Sequence, residues 1–362
     1  MTVETIEKSI EKKIQRHQAF WKMDRVKVPL VGIFFGGWSF FKNNRGAKSI
    51  WQSGIVSPDQ LHPEQFIADY EKFFEIGERL EDDLIRAAQP FPSIPWMEAI
   101  IGCPIRCSYP NAWAGPMAQN FSELPDIVFD PDNSWVCKYI EFLEVFGKYF
   151  ADVRPVSASI LRGPSDLLSA AVGDTRAIYA YVDQPHETRK VLRQITEFLI
   201  TFTKYQWGHM AKYCEGYIIP QNEIWVPGLP LRIQEDASAL LSPEIYKMFL
   251  LPFDLQIVSL TRYNMLHLHT TSLFLLPYFL KMDNLGIIQV SKDDGYGDIN
   301  SLIPYLQTIQ NANKRLILRG RFKSEELELI RQKLSPVGFF IHIVVETEAE
   351  GRKCLHILKE IP

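Results

Sequence analysis

The segment NMLHLHTTSLFLLPYFLKMDNLGIIQVSKD, residues 264–293, carries the clearest fold signal in the chain. Its ends, NMLHLHT and GIIQVSK, are short apolar segments typical of buried β-strands. Between them the spacing of apolar residues predicts a helix at about Phe274–Met282. Two buried strands joined by a helix form a parallel β-α-β unit. The segment therefore predicts an α/β protein.

The same alternation continues to the carboxyl terminus, where RLILRGR and FFIHIVV are the next strand candidates. The last four predicted strands are centred near Leu268, Gln289, Leu318 and Ile343. Further helices are predicted at about Asp298–Asn311, Lys323–Leu334 and Thr347–Lys359.

Upstream, four more segments have strand character: VGIFFGG, PIRCSY, VSASILRG and GYIIPQ. The count thus reaches about eight, which favours a single (β/α)₈ barrel of the TIM type over a doubly wound sheet. We expect the barrel to occupy residues 26–362 as one domain. Residues 1–25 are expected to form an amino-terminal helical extension that covers it.

Composition and charge narrow the class of partner. The formal net charge is −4, and no run of Lys and Arg interleaved with aromatic residues occurs, so we expect no nucleic-acid partner. No segment reaches the roughly 18 uninterrupted apolar residues of a membrane span, and the first residues lack the apolar core of a signal peptide. We therefore expect a cytoplasmic protein with no membrane partner and with its cysteines reduced.

His267 and His269 are the first candidate catalytic and metal-binding residues. They are two apart on one predicted strand, so both side chains project to the same face. Burying two imidazoles against the outer helices would cost more than burying leucines there, so we place them in the barrel lumen. Neutral imidazoles bind zinc and similar metals. Metal ligation, acid–base catalysis and a hydrogen-bonded core pair all remain open for them.

An oxygen donor would complete such a site. Asp293, a further catalytic candidate, ends the next predicted strand, Glu223 follows GYIIPQ, and Glu346 ends the last strand. Two imidazoles and one of these carboxylates predict a partly open metal or proton-donor site, with zinc the expected metal. A solvated place on the rim is the competing interpretation for each carboxylate.

Aromatic side chains in the loops are the candidates for substrate binding. Trp38, Trp96, Trp113 and Trp225 are expected to converge on one end of the barrel, giving a mouth lined by aromatic rings rather than guanidinium groups. Glu98 lies near Trp96, a combination that suits a flat or cationic methyl donor. The alternative is that Glu98 stabilises the start of a helix.

Arg162, which follows the strand candidate VSASIL, is a further substrate-binding candidate. Its guanidinium could hold a carboxylate or phosphate through two hydrogen bonds. It could equally pair with Asp166, four residues later.

Several segments taken together resemble the uroporphyrinogen decarboxylase-like superfamily. They are LRGPSDLLSAAVGDTRAIYAYVDQP, IQEDASALLSPEIYKMFLLPF, LHLHTTSLFLLPYFLKMDNLGIIQVSKDDG, LILRG and GFFIHIVVETEAEG. The resemblance spans most of the chain and implies a (β/α)₈ barrel. It also implies a catalytic role for Asp236, which occupies the superfamily's Asp-Ala-Ser position, although a role at a helix start competes with it.

Within the superfamily the sequence is closer to the corrinoid-linked methyltransferases than to the heme-pathway decarboxylase. The decarboxylase's Arg-Gln-Ala-Gly-Arg signature is missing, and RHQAFWKMDRVKVP stands in that region. The methyltransferases hold zinc through His-x-Cys and a later Cys; His267 matches the first ligand, His269 replaces the cysteine, and Val344 or Val345 lies near the last.

The resemblance therefore implies an enzyme that moves a methyl group from a small methylated donor to a corrinoid held by a partner protein. A decarboxylase or other lyase is the alternative enzyme, and arginines at the mouth would favour it. A barrel that binds a ligand without turnover is the non-enzyme alternative.

Overall fold

Seven parallel strands form the central sheet of the protein in a computed structural model that describes residues 3–36, 44–52, 54–151, 153–295 and 297–359. The strands of this sheet, in spatial order, are β1 Leu30–Phe35, β12 Phe339–Val345, β11 Arg315–Gly320, β10 Ile287–Ser291, β9 Asn264–His269, β8 Leu231–Gln234 and β5 Leu161–Arg162. All neighbouring pairs are parallel. The four predicted strands of the carboxyl-terminal half are confirmed.

Two smaller sheets are antiparallel. One contains β2 Ile55–Val56, β3 Ile105–Ser108 and β4 Asn111–Ala114, and the other contains β6 Tyr217–Ile219 and β7 Ile224–Val226. PIRCSY and GYIIPQ are thus strands, but the prediction that they belong to the central sheet is wrong. Each pairs with a neighbour close in sequence through a tight connection, which permits only the antiparallel arrangement.

Helices separate the strands of the central sheet. They are α1 Val3–Lys22, α2 Ile67–Glu78, α3 Trp96–Ile100, α4 Ser134–Phe150, α5 Pro164–Val172, α6 Asp174–Asp183, α7 Pro185–Gly208, α8 Pro243–Ile245, α9 Leu251–Val258, α10 Leu276–Phe279, α11 Ile299–Asn311, α12 Ser324–Lys333 and α13 Glu348–Lys359. A π-helical turn, Tyr246–Leu250, joins α8 to α9. None of the helices in the described ranges is long and apolar enough to cross a membrane.

A closed eight-stranded ladder is absent from the described residues. The two edges of the central sheet are β1 and β5, and the segment 82–88 runs between them. Asp83 and Asp82 accept hydrogen bonds from the backbone N–H groups of Val31 and Ile33, at 2.9 and 3.1 Å. On the other side, Ala88 forms a single parallel bridge with Val156. Carboxylates thus take the place of part of a backbone ladder, so the segment is not a regular strand.

The inward faces of the strands form layers. The lowest layer is mostly apolar and contains, among others, Leu30, Met265, Ile287, Ile317 and Phe340. Helix α1 packs against this layer, since Phe20 and Trp21 belong to the same buried cluster. The next inward positions towards the carboxyl ends of the strands are polar, which leaves that end of the sheet for chemistry.

The β6–β7 hairpin contributes to both layers. Ile219 and Ile224 pack in the apolar layer, and the connecting residues reach the polar one. The tip is unusual in its backbone, because Gln221 and Glu223 have positive φ values of 64° and 56°. Non-glycine residues adopt this left-handed conformation at a cost, so the packing of the hairpin must hold the tip in place.

Candidate functional site

A cavity of about 700 Å³ opens at the carboxyl ends of the parallel strands. Side chains from β5, β8, β9, β10 and β11 line it, together with residues of the β3–β4 and β6–β7 hairpins. Its volume is within the range of small-molecule sites, and its position is the one that α/β barrels use for catalysis. We therefore take this cavity as the candidate active site.

The two histidines of β9 face each other in this cavity. The Nε2 atoms of His267 and His269 are 3.2 Å apart, and the ring planes are nearly perpendicular, at 89°. Alternation along the strand places both side chains on the inward face. His267 is buried, whereas the side chain of His269, nearer the opening, is 39% exposed.

The outer nitrogen of each ring has an oxygen partner. Nδ1 of His267 lies 3.2 Å from Oε1 of Gln289, and Nδ1 of His269 lies 2.5 Å from Oδ1 of Asp293. An amide oxygen and a carboxylate can only accept hydrogen bonds, so both Nδ1 atoms carry the hydrogen. In the neutral rings the two Nε2 atoms then present lone pairs to each other.

Two lone pairs at 3.2 Å repel unless one ring carries a proton that it donates to the other, or a metal ion lies between the two nitrogens. The separation fits zinc, because two nitrogens at about 2.0–2.1 Å from a tetrahedral ion are about 3.3 Å apart. Asp236 supplies an oxygen: its Oδ1 is 3.9 Å from Nε2 of His269. One ligand atom from each of Asp236, His267 and His269 lies within 4.8 Å of the others. Three protein ligands with a free fourth position are typical of catalytic zinc.

The ionisation of the site suits a metal. Burial lowers the pKa of His267 well below its ordinary value, and the nearby charge of Arg232 lowers it further. The ring is therefore neutral near pH 7, with its lone pair free for a ligand bond. Burial alone would raise the pKa of Asp293, but hydrogen bonds from Thr270 and His269 outweigh burial and lower it. Asp293 is thus a carboxylate that orients His269.

The other predicted oxygen donors lie elsewhere. Glu223 is buried, and its Oε2 accepts a hydrogen bond from the backbone N–H of Ala87 at 2.6 Å. Burial raises the pKa of Glu223 to about 8. Glu346 is exposed on the rim, with its Oε1 2.6 Å from Nη2 of Arg321. The structure brings neither carboxylate to the histidine pair, and Asp236 is the oxygen donor that it places there.

The predicted aromatic mouth is not formed by the described residues. Trp96 is 1% exposed and packs its ring against Trp135, Tyr139 and Phe142 in the core. Trp225 is buried, and its indole N–H donates to the carbonyl oxygen of Tyr213.

Trp113 is 46% exposed on β4 and does not line the cavity. Trp38 falls outside the described residues. No Phe, Tyr or Trp in the described part of the chain lines the cavity, whereas Arg162, Arg232, Arg319 and Arg321 do. Trp96 and Trp225 fill the core because α3 and the β6–β7 hairpin bury them against other elements.

Arg162 and Glu98 belong to one charge cluster, in which Glu98 is buried and Arg162 is partly exposed. Arg162 pairs with Asp166, with Nε 2.9 Å from Oδ2, the second of the two roles left open by the sequence. Nε of Arg162 also lies 3.6 Å from Oε1 of Glu98. Burial raises the pKa of Glu98, opposed by the positive charge of Arg162. Arg162 also lines the cavity, but Glu98 does not.

Sequence reasoning missed several polar residues of the site, among them Asn222, Arg232, Gln289 and Arg319. Arg232 and Gln289 are buried inside strands where apolar residues are the norm. A charged or amide residue inside an otherwise apolar strand segment is the signal that could have located Arg232 in LRIQ, Gln289 in IIQVS and Arg319 in RLILRG. The strand β8 itself was missed because it is short and follows a proline-rich turn.

Comparisons with known proteins extend this description. The sequence matches no protein-family model and no curated protein. Among solved structures, a methyltransferase from Methanosarcina mazei superposes with a TM-score of 0.61, covering 94% of this chain and 96% of that one. The two chains share a fold. At 13% sequence identity, the likeness concerns the architecture alone.

Proposed function

We propose that this protein is a metal-dependent methyltransferase of the uroporphyrinogen decarboxylase-like type. The observation that carries the proposal is the convergence of the Nε2 atoms of His267 and His269 at 3.2 Å, with both Nδ1 atoms engaged by oxygen acceptors. The resemblance in sequence and the likeness in fold to the Methanosarcina methyltransferase support it.

The residues of the cavity have distinct roles in this proposal. Asp236, His267 and His269 would hold the metal, while Gln289 and Asp293 orient the two imidazoles from behind. When bound, zinc would act as a Lewis acid that stabilises the heteroatom from which the methyl group departs.

The methyl donor is a small molecule, since the cavity of about 700 Å³ admits no more than a ligand of modest size. The acceptor we propose is a reduced corrinoid on a partner protein, approaching from the open side of the cavity. This partner is drawn from the sequence resemblance.

Metal analysis tests the proposal. The purified protein should contain zinc at close to one equivalent, and His267→Ala, His269→Ala and Asp236→Ala should each lose most of it. The matched control is Asp294→Asn, which removes another carboxylate of the cavity wall outside the triad and should retain the metal. Methyl transfer from methanol, methoxylated aromatics or quaternary amines to chemically reduced free cobalamin should follow metal content. Full metal binding by the three alanine variants would contradict the proposal.

One observation favours the alternative of a decarboxylase or other lyase. The described cavity wall carries arginines and no aromatic side chains, which is the lining expected for a substrate with carboxylates. The two functions differ in their products. Release of carbon dioxide from a carboxylate substrate, with no methyl transfer to cobalamin, would establish the lyase.

A further inference from the structure

We propose that Arg232 and Arg319 form an oxyanion-binding subsite in the cavity, so that the substrate carries a carboxylate, sulfonate or phosphate group. The inference rests on the proposed function, because it specifies the substrate class of the same cavity. It also differs from the sequence-based expectation of an apolar or cationic donor held by aromatic rings.

The first observation is that both guanidinium groups have donors without acceptors. Arg232 is 3% exposed; its Nη1 donates to Oε1 of Gln234, while its Nε is buried with no hydrogen-bond partner among the described residues. The guanidinium of Arg319 stacks on the ring of Phe34 at 4.4 Å, and its Nη1 is likewise buried without a partner there. Buried N–H donors of charged groups rarely stay unsatisfied in folded proteins.

The second observation is that the other cations of the cavity wall are already paired. Arg162 forms an ion pair with Asp166, so its charge is balanced even though its buried Nε has no well-aligned hydrogen-bond acceptor among the described residues. Lys292 pairs with Glu326, and Arg321 pairs with Glu346. Within the described ranges, no carboxylate lies within 4.0 Å of the guanidinium nitrogens of Arg232 or Arg319. These two residues are therefore the arginines of the cavity that form no ion pair with a carboxylate among the described residues.

Both residues remain charged near neutral pH. Burial lowers the pKa of Arg319 to about 10. Burial also lowers the pKa of Arg232, to about 9, although the nearby charge of Asp236 opposes the change. An unpaired buried cation is costly, and an oxyanion would supply both the counter-charge and the missing acceptors.

Strand register places the two arginines near the two histidines. Arg232 lies on β8 two residues before Gln234, whose register partner on β9 is His267. Arg319 is the partner of Ser291 on β10, and Ser291 is the partner of His269. Both arginines line the same cavity as His267. A bound oxyanion would thus anchor the substrate next to the proposed metal site.

A matched pair of small ligands tests the subsite without any metal. Methoxyacetate and methoxyacetamide have nearly the same shape and differ in charge. With metal-free wild-type protein, calorimetry or ligand-observed NMR should give a dissociation constant at least about tenfold lower for methoxyacetate. Methanesulfonate and inorganic phosphate show which oxyanion is preferred. Equal binding of acid and amide, or no binding of any of the three anions, would overturn the proposal.

Substitutions of the two arginines test whether they cause the preference for methoxyacetate over methoxyacetamide. Arg232→Gln and Arg319→Gln should each abolish the preference for the acid, whereas Arg319→Lys should retain part of it. Arg321→Gln is the control, since it removes an arginine two residues away on the same wall that already pairs with Glu346. An equal loss in this control would count against the assignment. Circular dichroism and thermal unfolding establish that each variant is folded.

The result of the anion-binding test can be distinguished from the result of the zinc-binding test of the proposed function. Zinc binding by wild-type protein that shows no anion preference would leave the methyltransferase proposal standing and remove the subsite. A preference for anions in protein that never binds zinc would keep the subsite and remove the metal-dependent methyltransferase proposal.

Discussion

Asn222 and His267 donate to the same atom, Oε1 of Gln289, each over 3.2 Å. Asn222 lies at the tip of the β6–β7 hairpin, between Gln221 and Glu223, the two residues with positive φ. A strained backbone thus positions an amide that supports a site residue from behind. A hydrogen bond to the outer nitrogen of a metal-binding histidine fixes the tautomer of the ring and strengthens its bond to the metal.

Replacement of Gln289 should weaken metal binding. Gln289→Leu removes the acceptor of the His267 Nδ1 hydrogen, so we expect zinc affinity to fall about 10–100-fold, as for other supporting residues of metal sites. Competition with a chromophoric chelator measures the change. Asn222→Ala leaves that acceptor in place and should cost less. An unchanged affinity in Gln289→Leu would mean that Nδ1 is satisfied in another way.

His17 should make the protein less stable in mild acid. Its Nδ1 accepts from the backbone N–H of Trp225 at 2.9 Å, so the buried ring must be neutral. Burial lowers the pKa of His17 to about 4. Between about pH 6.5 and 4 the unfolded chain therefore takes up a proton that the folded protein does not, and the free energy of unfolding falls by about 3 kcal/mol.

Urea unfolding at several pH values measures this loss. His17→Gln should flatten the pH dependence over the same interval. An equally steep loss in the variant would assign it to other groups.

Glu223 should have the opposite pH dependence. Burial raises its pKa to about 8, so the folded protein keeps a proton that the unfolded chain releases above about pH 4.5. This contribution to stability is complete below about pH 4.5 and is lost as the pH rises to about 8. Glu223→Gln retains a neutral group there and should stabilise the protein by up to about 3 kcal/mol near pH 7. No gain at neutral pH, measured by urea unfolding, would show that Glu223 is ionised in the folded state.

Gly163 should tolerate no side chain. A Cβ atom at this position would lie 2.6 Å from the backbone oxygen of Gln234 and would also overlap the buried carboxylate of Glu235. Gly163→Ala is expected to destabilise the protein by about 2–3 kcal/mol.

Gly147, three residues before the end of α4 at Phe150, is the matched control for Gly163. No neighbouring group in the described part of the chain lies within 4 Å of the position that a Cβ atom would take there. Gly147→Ala should therefore stabilise the protein by about 0.5–1 kcal/mol, because alanine favours the helix. Thermal unfolding of both variants measures the difference, and equal effects of the two substitutions would contradict the steric argument.

The local pattern of apolar residues was sufficient to predict the strands and helices of the carboxyl-terminal half. The strands around Leu268, Gln289, Leu318 and Ile343 are predominantly apolar segments, and the helices Ile299–Asn311 and Ser324–Lys333 have amphipathic spacing. In the amino-terminal half, strand character in PIRCSY or GYIIPQ did not reveal the partner strand. Pairing depends on contacts between distant residues, which a local pattern does not contain.

The same division holds for the site. Residue order alone places His267 and His269 on one face of a strand, because side chains alternate with a period of two. Residue order does not show that Asp236, rather than Glu223 or Glu346, lies beside them, or that Arg232 and Arg319 have no carboxylate partner among the described residues. The register of neighbouring strands and the burial of each loop set these distances, and both arise from packing across the whole chain.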